Sequence, residues 1–362
     1  MKILFVGRFF YPEFGGGEFY IKNVLKYLVD KGHYCTAMCF YDGNTNQKFT
    51  KSQALVVDGI RVLQSQWCNP IQIQNVCKAS GCDVMITQST DSMMFLQAAK
   101  QVGVKTVFGI HFYNEICSMT NGGLYVNVLN ALPEEIKIDP NQQKPFSYCD
   151  EFFVNSDYMS QVVEKYVGKK PKHVIYPPIN KDFIAQEKKP SHVTYVNPCI
   201  GKGMGVFYSV AKKLPNIQFK MLGALVDKSP VNIRVYENIK KLPNVEILDT
   251  VQDMGNIYRS TKVLMTPSLV DETFSMVTLE ALMNGIPVIA SKFGNLPYLL
   301  EKGGYCLDVD NINEWVDKIN ILFNNQDEYD KVVKEGMEQI KKYDSEVQCE
   351  KFLSMLEGVV SG

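Results

Sequence analysis

Pro267-Ser268-Leu269-Val270-Asp271-Glu272-Thr273-Phe274-Ser275-Met276-Val277-Thr278-Leu279-Glu280-Ala281-Leu282-Met283-Asn284-Gly285-Ile286-Pro287-Val288-Ile289-Ala290-Ser291 reads as a loop, a helix and a strand in immediate succession. Val263 to Thr266 before it is a short apolar run. Phe274 to Met283 is expected to be helical and Pro287 to Ala290 extended. Glu272 then lies just ahead of a helix and Glu280 about two turns further along it. A helix start leaves backbone N–H groups without intrahelical partners. Two carboxylates flanking such a start can grip a ligand at both ends, since a carboxylate accepts a pair of hydrogen bonds from a diol while the N–H groups take an anion. The plainer reading makes Glu272 a capping carboxylate and Glu280 a carboxylate on the helix face. Burial of either one in an internal ion pair, or a course that points the two away from a shared crevice, would end the ligand reading.

The same strand–loop–helix rhythm runs outward in both directions. Upstream, strands are expected at Lys2–Gly7, Tyr34–Tyr41, Ile60–Leu63, Asp83–Thr87, Lys105–Gly109, Glu151–Asn155 and His173–Tyr176, with helices at Glu18–Lys31, Asp91–Val102 and Asp157–Tyr166. After a proline-bearing polar stretch, Pro177 to Pro190, the alternation restarts. Strands are then expected at Val193–Asn197, Gln218–Leu222, Val245–Leu248 and Tyr305–Leu307, and helices at Gly205–Lys213, Val231–Lys241, Asp253–Tyr258, Asn313–Phe323 and Glu328–Tyr343. Such alternation predicts parallel sheets covered on both faces, and the break predicts two domains. Asn114–Ser147 fits the rhythm poorly and reads as a long loop with short helices.

In open parallel sheets ligands sit at the carboxyl ends of the strands. Two further loops there are unusual. Pro12-Glu13-Phe14-Gly15-Gly16-Gly17-Glu18 brings three glycines to a helix start, where backbone can approach a phosphate; alone it reads equally well as a flexible loop. Asn197-Pro198-Cys199-Ile200-Gly201-Lys202-Gly203 sets a lysine between glycines, able to neutralise an anion or simply solvated. His111 ends a predicted strand, where a lone histidine is more often structural than ligand-binding. Asp308-Val309-Asp310 could suggest a metal-bound diphosphate but reads as the lead-in to a helix.

The 362 residues carry 38 basic and 39 acidic side chains and 46% hydrophobic residues. That balance argues against a nucleic-acid binder, and the length suits two cores. The ten cysteines show no CxxC pair and the four histidines are scattered, so a zinc site is not expected and the thiols read as reduced and buried. No run of about 18 apolar residues occurs, and the N-terminus does not read as a signal peptide. Cytoplasmic location is expected, with peripheral contact at a membrane left open. Lys165, Lys169, Lys170 and Lys172 form a small basic cluster that reads first as a solvated helix end.

Pro267-Ser268, Glu272, Glu280-Ala281-Leu282, Gly285 to Ser291 and Gly294-Asn295 together resemble the E-x7-E run of the retaining family 4 glycosyltransferases. Pro12–Glu18, Lys31-Gly32-His33, Val154-Asn155-Ser156, Val174 to Ile179, Gly201-Lys202-Gly203, Leu242 to Val245 and Tyr258 look like other segments of that family in the same order, so the resemblance covers nearly the whole chain. It implies an α/β, GT-B fold: two Rossmann-like parallel-sheet domains facing each other across a cleft. Residues 1–180, completed by a C-terminal helix over 345–362, would form the acceptor-side domain, and 181–344 the nucleotide-sugar domain. Glu272 matches the glutamate that touches the transferred sugar, Glu280 the one that binds ribose, and Phe274, Ser275 and Met276 the amides facing the diphosphate. Lys202 matches the lysine stabilising the leaving phosphate, Gly15 and Gly16 the phosphate-side glycines, and His111 a histidine beside the reacting sugar.

The activity this resemblance implies is transfer of a sugar from a nucleoside-diphosphate sugar to a glycan, lipid-linked or small-molecule acceptor, with retention and with no cofactor or metal. Two departures stand out. Asn197 replaces an arginine the family often has, and Ser275 replaces a glycine. A non-catalytic nucleotide-sugar-binding subunit and a nucleotide-sugar epimerase are the alternatives.

Overall fold

A computed structural model of the chain describes residues 1–13, 15–88, 91–120, 126–179, 184–185, 187–225, 227–249 and 253–362. Phe14 of the glycine loop, Asn121-Gly122-Gly123, and 180–183 and 186 of the proline-bearing linker lie outside them. The chain divides into two compact units. One comprises Met1–Thr120, Leu132–Ile179 and Tyr343–Gly362, the other Asn121–Ala131 and Asn180–Lys342. Residues 121–131, assigned from the sequence to the first domain, thus group with the second unit.

The second unit is a six-stranded, wholly parallel sheet in the order Val245–Leu248, Gln218–Leu222, His192–Val196, Thr261–Thr266, Val288–Ser291, Gly304–Leu307. Numbered along the chain this is 3-2-1-4-5-6, the doubly wound arrangement in which the strand order reverses between the first and fourth strands. The apolar runs of its central strands are almost fully buried, because helices cover both faces. The helix Ile312–Asn324 drives Trp315 into this core, where its ring N–H donates to Asp308 O at 2.8 Å.

The first unit holds an eight-stranded sheet in the order His173–Val174, Glu151–Val154, Lys105–Ile110, Val84–Thr87, Lys2–Gly7, Tyr34–Cys39, Ile60–Gln64, Gln53–Val57. Only the last pairing is antiparallel. Helix Gly16–Asp30 buries Ile21, Val24, Leu25 and Leu28, as the helical spacing predicts, but Tyr20 fills the core where the apolar pattern points to Phe19, which is exposed. The C-terminal helix Ser345–Ser361 sends Cys349, Phe352, Met355 and Leu356 into the same core. Ser345 Oγ donates to Ile179 O at 2.7 Å, fixing the helix start against the end of the unit's earlier chain.

Among the elements that the sequence pattern does not predict, three show why. The edge strand Gln53–Val57 turns back at Asp58 and Gly59, both in the left-handed region, which is the chemistry of a two-residue hairpin. A small hairpin pairs Tyr41–Asp42 with Gln47–Lys48. Helix Pro70–Ser80 buries only Ile73 and Cys77 and so carries a faint stripe. Its termini are nevertheless legible: Asn69 caps Gln72 N at 2.9 Å, and Gly81 closes it in the left-handed conformation. The 114–147 segment does form short pieces, among them Tyr113–Glu115, Pro133–Glu135, Pro140–Gln143 and Pro145–Tyr148.

Phe352 packs at 5.1 Å, edge-on, against Phe153 in the first unit's core. Phe352→Ala should therefore lower the unfolding free energy of that unit by about 3–5 kcal/mol. Urea titration followed by hydrogen exchange should show amides of the first sheet losing protection while those around Trp315 keep theirs.

Candidate active site

The loops that follow the first and fourth strands of the second unit meet at the reversal of strand order, the place where this topology leaves a crevice. After His192–Val196, the chain turns at Asn197 and Gly203, both at positive φ, and enters helix Met204–Lys213. After Thr261–Thr266 come Pro267 to Ser275 and then helix Met276–Met283. The two loops are pressed together. Leu269 N donates to Gly201 O at 2.8 Å, and a Cβ on Gly203, at φ 80°, would lie 1.8 Å from Pro267 O. Only glycine permits that approach.

This contact brings Lys202 to Glu272. The ammonium lies 2.6 Å from Oε1 of Glu272, and Ser268 Oγ donates to the same oxygen at 2.5 Å. Glu272 is therefore not an open carboxylate, as the sequence pattern suggests, but one side of an ion pair. Its partner, however, is another predicted site residue, and the Lys202 side chain keeps 37% of its exposure against 11% for Glu272. The pair is thus partly exposed on its lysine side rather than locked in the core.

Glu272 is held from behind as well. Its backbone bridges Gly294, where a Cβ would fall 2.3 Å from Glu272 O, and Asn295 N donates to that carbonyl at 2.6 Å. Asn295 Nδ2 reaches Phe274 O at 3.3 Å. The Gly294-Asn295 pair thus fixes the course of the chain from Glu272 to the helix. Val126 N donates to Leu269 O at 3.0 Å, and Asp271 accepts from Val128 N at 2.5 Å, tying the 126–131 segment alongside.

Phe274 is buried, Ser275 stands at the helix N-cap, and Met276 begins the helix. Ser275 has φ 79°, so a residue with a side chain occupies a glycine-type conformation. Its hydroxyl lies 2.9 Å from Thr278 Oγ1, which in turn is 3.3 Å from Thr266 Oγ1, a chain of hydroxyls beneath the helix start. Asn197 shows why a long side chain is absent there. At φ 61°, with its N–H donating to Leu222 O at 2.8 Å, it uses the left-handed region that asparagine tolerates better than most residues.

Glu280 is 7% exposed, and Tyr258 Oη donates to its Oε2 at 2.6 Å. Burial pushes its carboxyl up to about 7, with the Tyr258 hydrogen bond opposing. It is buried rather than solvated, and among the described residues it makes no ion pair.

The remaining predicted residues lie in the first unit. Gly15 N donates to Glu18 Oε2 at 2.9 Å, and Gly16 opens helix Gly16–Asp30. Gln88 Nε2 donates to Gly17 O at 2.6 Å. His111 follows strand Lys105–Ile110 and sits edge-on to Tyr20 at 4.9 Å and to Phe153 at 5.8 Å. Burial lowers it to about 3, so the ring is neutral, and its Nε2 has no hydrogen-bond partner among the described residues. Its N–H donates to Glu115 Oε2 at 2.9 Å, and its carbonyl accepts from Asn155 at 3.3 Å.

Ser268, Tyr258 and Asn295 carry parts of the site that sequence spacing alone does not assign to them. Their signals are the Pro-Ser pair before Glu272, the tyrosine on the preceding helix and the glycine–asparagine step after Ser291. Asp308 Oδ1 accepts from Asp310 N at 3.0 Å, which makes the Asp308-Val309-Asp310 triplet part of a turn. Among the described residues no three His, Cys, Asp or Glu side chains group as metal ligands. Of the clustered lysines, Lys165 lies over the Tyr166 ring at 4.9 Å, Lys169 donates to Phe146 O at 2.9 Å and Lys172 pairs with Glu151 at 3.0 Å. Among the described residues no helix is long and apolar enough to cross a membrane.

Two family models match consecutive parts of the chain: "Glycosyltransferase Family 4" over residues 14–183 and "Glycosyl transferases group 1" over 184–339. An uncharacterised glycosyltransferase of Methanocaldococcus jannaschii is 23% identical over 356 residues, covering 95% of this chain and 94% of its own. The sulfoquinovosyl transferase SQD2 of Arabidopsis thaliana is 26% identical over 152 residues, 40% of this chain but only 29% of the plant protein. In fold, a glycosyltransferase structure from Rickettsia africae superposes with a TM-score of 0.79 at 17% identity, covering 99% of this chain and 98% of that one. Anabaena HepE in complex with UDP gives 0.76 at 16% identity, covering 99% and 100%.

Two outcomes test the geometry. Gly203→Ala should destabilise the second unit by about 2–3 kcal/mol, read from denaturant melts, because both the conformation and the contact with Pro267 forbid a Cβ. Glu280 is raised on folding, so the folded state holds its proton more tightly than the unfolded chain does. That contribution is fully present below the ordinary carboxylate range and is lost as pH rises through about 7. Glu280→Gln, uncharged throughout, should melt progressively higher relative to the wild type as pH is taken from about 5 to 7; a constant gap would show that Glu280 does not titrate there.

Proposed function

Because the chain belongs to the glycosyltransferases defined by the family 4 and group 1 models, we propose that it moves a hexosyl group from a nucleoside-diphosphate sugar to a glycan, lipid-linked or small-molecule acceptor with retention of configuration. The observation that carries this reading is the Lys202–Glu272–Ser268 constellation at the strand-order reversal of a 3-2-1-4-5-6 sheet.

In this reading the diphosphate lies at the start of helix Met276–Met283, where the amides of Phe274, Ser275 and Met276 and the helix dipole favour negative charge. Lys202 exchanges Glu272 for the leaving phosphate as charge builds there. Ser268 keeps Glu272 oriented towards the sugar hydroxyls. Glu280, braced by Tyr258, receives the ribose diol. In the first unit, His111, neutral and with Nε2 unsatisfied among the described residues, and Gly15 and Gly16 are proposed to keep the roles that the family resemblance gives them. Lysine and helix amides supply the charge compensation, so no metal takes part in the proposed step. A double displacement of the glycosidase kind is not part of the proposal. Cytoplasmic location and peripheral membrane contact remain part of the proposal.

UDP-glucose is the first donor to test, because a structural neighbour was solved with it. Lys202→Ala should lower kcat about 10²–10³-fold at saturating donor, with turnover of the unaltered protein insensitive to a chelator. Near-normal turnover of Lys202→Ala would remove the role given to the lysine. Asn197 in place of a cation is the observation favouring a non-catalytic binding subunit. UDP binding without transfer across a broad acceptor panel would establish that alternative, and a changed donor sugar without acceptor would establish an epimerase.

A further inference from the structure

The amino ends of the first unit's central strands, opposite the ends that lead to Gly15 and His111, enclose a cavity of about 580 Å³. Lys2 opens strand Lys2–Gly7 and Arg61 lies at the start of Ile60–Gln64. Both line the cavity, as do Cys35 and Cys82. A Cβ on Gly81 would lie 3.6 Å from Lys2 Nζ, which sets that ammonium beside the residue preceding Cys82. The acids adjoining the cavity in sequence are engaged: Asp83 accepts from Lys2 N at 2.7 Å, and Asp58 pairs with Lys22 at 3.3 Å. Among the described residues neither the Lys2 nor the Arg61 side chain forms an ion pair.

Cys82 does not stand alone. Where helix Pro70–Ser80 ends, the chain folds back over the Cys77 carbonyl, which accepts from Gly81 N at 3.1 Å, Ser80 Oγ at 3.2 Å and Cys82 Sγ at 3.8 Å. The two thiols are also hydrogen-bonded to each other. That contact holds Cys82 below the ordinary thiol range against the effect of burial, with the Ser80 side chain assisting, and it pushes Cys77 up, where burial adds to it. Cys35, on the same cavity, is pushed up to about 12 by burial. A thiolate is the nucleophile in thiol chemistry, so of the cavity's two thiols Cys82 is the activated one. Cys82 is 8% exposed and Cys77 only 1%, so a reagent in the cavity meets Cys82 first and finds a second thiol behind it. Two cations without acidic partners at the same opening favour a reagent that carries negative charge.

We propose that Cys82 is a thiol–disulfide exchange site for a small disulfide bearing carboxylates, which Lys2 and Arg61 attract, and that Cys77 resolves the product. Cys82, as thiolate, attacks one sulfur of the disulfide. The S–S bond breaks, a mixed disulfide forms on Cys82, and the departing thiolate takes up a proton. Cys77 then loses its proton, attacks Cys82 Sγ and displaces the second small thiol. The protein dithiol is oxidised to a Cys77–Cys82 disulfide, and the small disulfide is reduced to two thiols. This site is separate from the sugar-transfer reading and does not depend on it.

Oxidised glutathione, which is anionic, and bis(2-hydroxyethyl) disulfide, which is neutral, test this on the full chain, with alkylation and peptide mass spectrometry as the readout. Oxidised glutathione should yield the Cys77–Cys82 disulfide, reversed by dithiothreitol, and Cys77→Ala should instead accumulate glutathione on Cys82. Lys2→Gln and Arg61→Gln should each slow the reaction with oxidised glutathione about threefold and leave that with the neutral disulfide within about twofold. High salt should do the same to the wild-type protein, so the charge test stands even where a variant does not fold. A lasting mixed disulfide in the wild-type protein, with no Cys77–Cys82 bond, overturns the proposal. So does modification of Cys35 ahead of Cys82, or a glutathione reaction that neither salt nor the charge substitutions slow.

Discussion

The close approach of two loops in the second unit is the constraint on which its site depends. Gly203 must pass Pro267 with no side chain between them, and Gly294 must pass Glu272 in the same way. The first contact delivers Lys202 and the second delivers Glu272. The 2.6 Å ion pair between them follows from backbone packing rather than from any search by two flexible side chains. This is how a weakly buried lysine and a nearly buried glutamate acquire a fixed geometry without being sealed into a core.

The same logic governs the start of the next helix. Ser275 holds a left-handed conformation that its hydroxyl, bonded to Thr278, helps to stabilise. Asn295 braces the carbonyls on either side of the turn into the helix. A loop constrained from both flanks can present N–H groups without reorganising when charge appears, which is what electrostatic stabilisation of a leaving group requires. In the first unit, His111 is immobilised differently, by aromatic edges and by Glu115 and Asn155 on its backbone. There burial keeps the ring neutral.

Much of this was visible in the chain itself. Apolar runs such as Ile3–Val6 and Val263–Met265 have no polar alternation, so they read as strands covered on both faces. Alternation with helices then dictated parallel sheets. Elements with a weak stripe escaped, as Pro70–Ser80 did with two buried residues, because periodicity measures burial and that helix has little. The edge strand Gln53–Val57 escaped for the same reason, lying exposed beside a single neighbour.

By itself the sequence determined the class of fold, the repetition of that fold, and the identity of the loops that end in glycine, lysine and glutamate, since these follow from local spacing and from what each backbone conformation tolerates. Tertiary structure alone decided which of those residues touch. Lys202 and Glu272 are seventy positions apart, and Tyr258 meets Glu280 only because helices Met254–Ser260 and Met276–Met283 flank the same strand. Spacing along a chain carries no information about distances across a sheet. Those distances are set by strand order and by where a glycine lets one backbone rest on another.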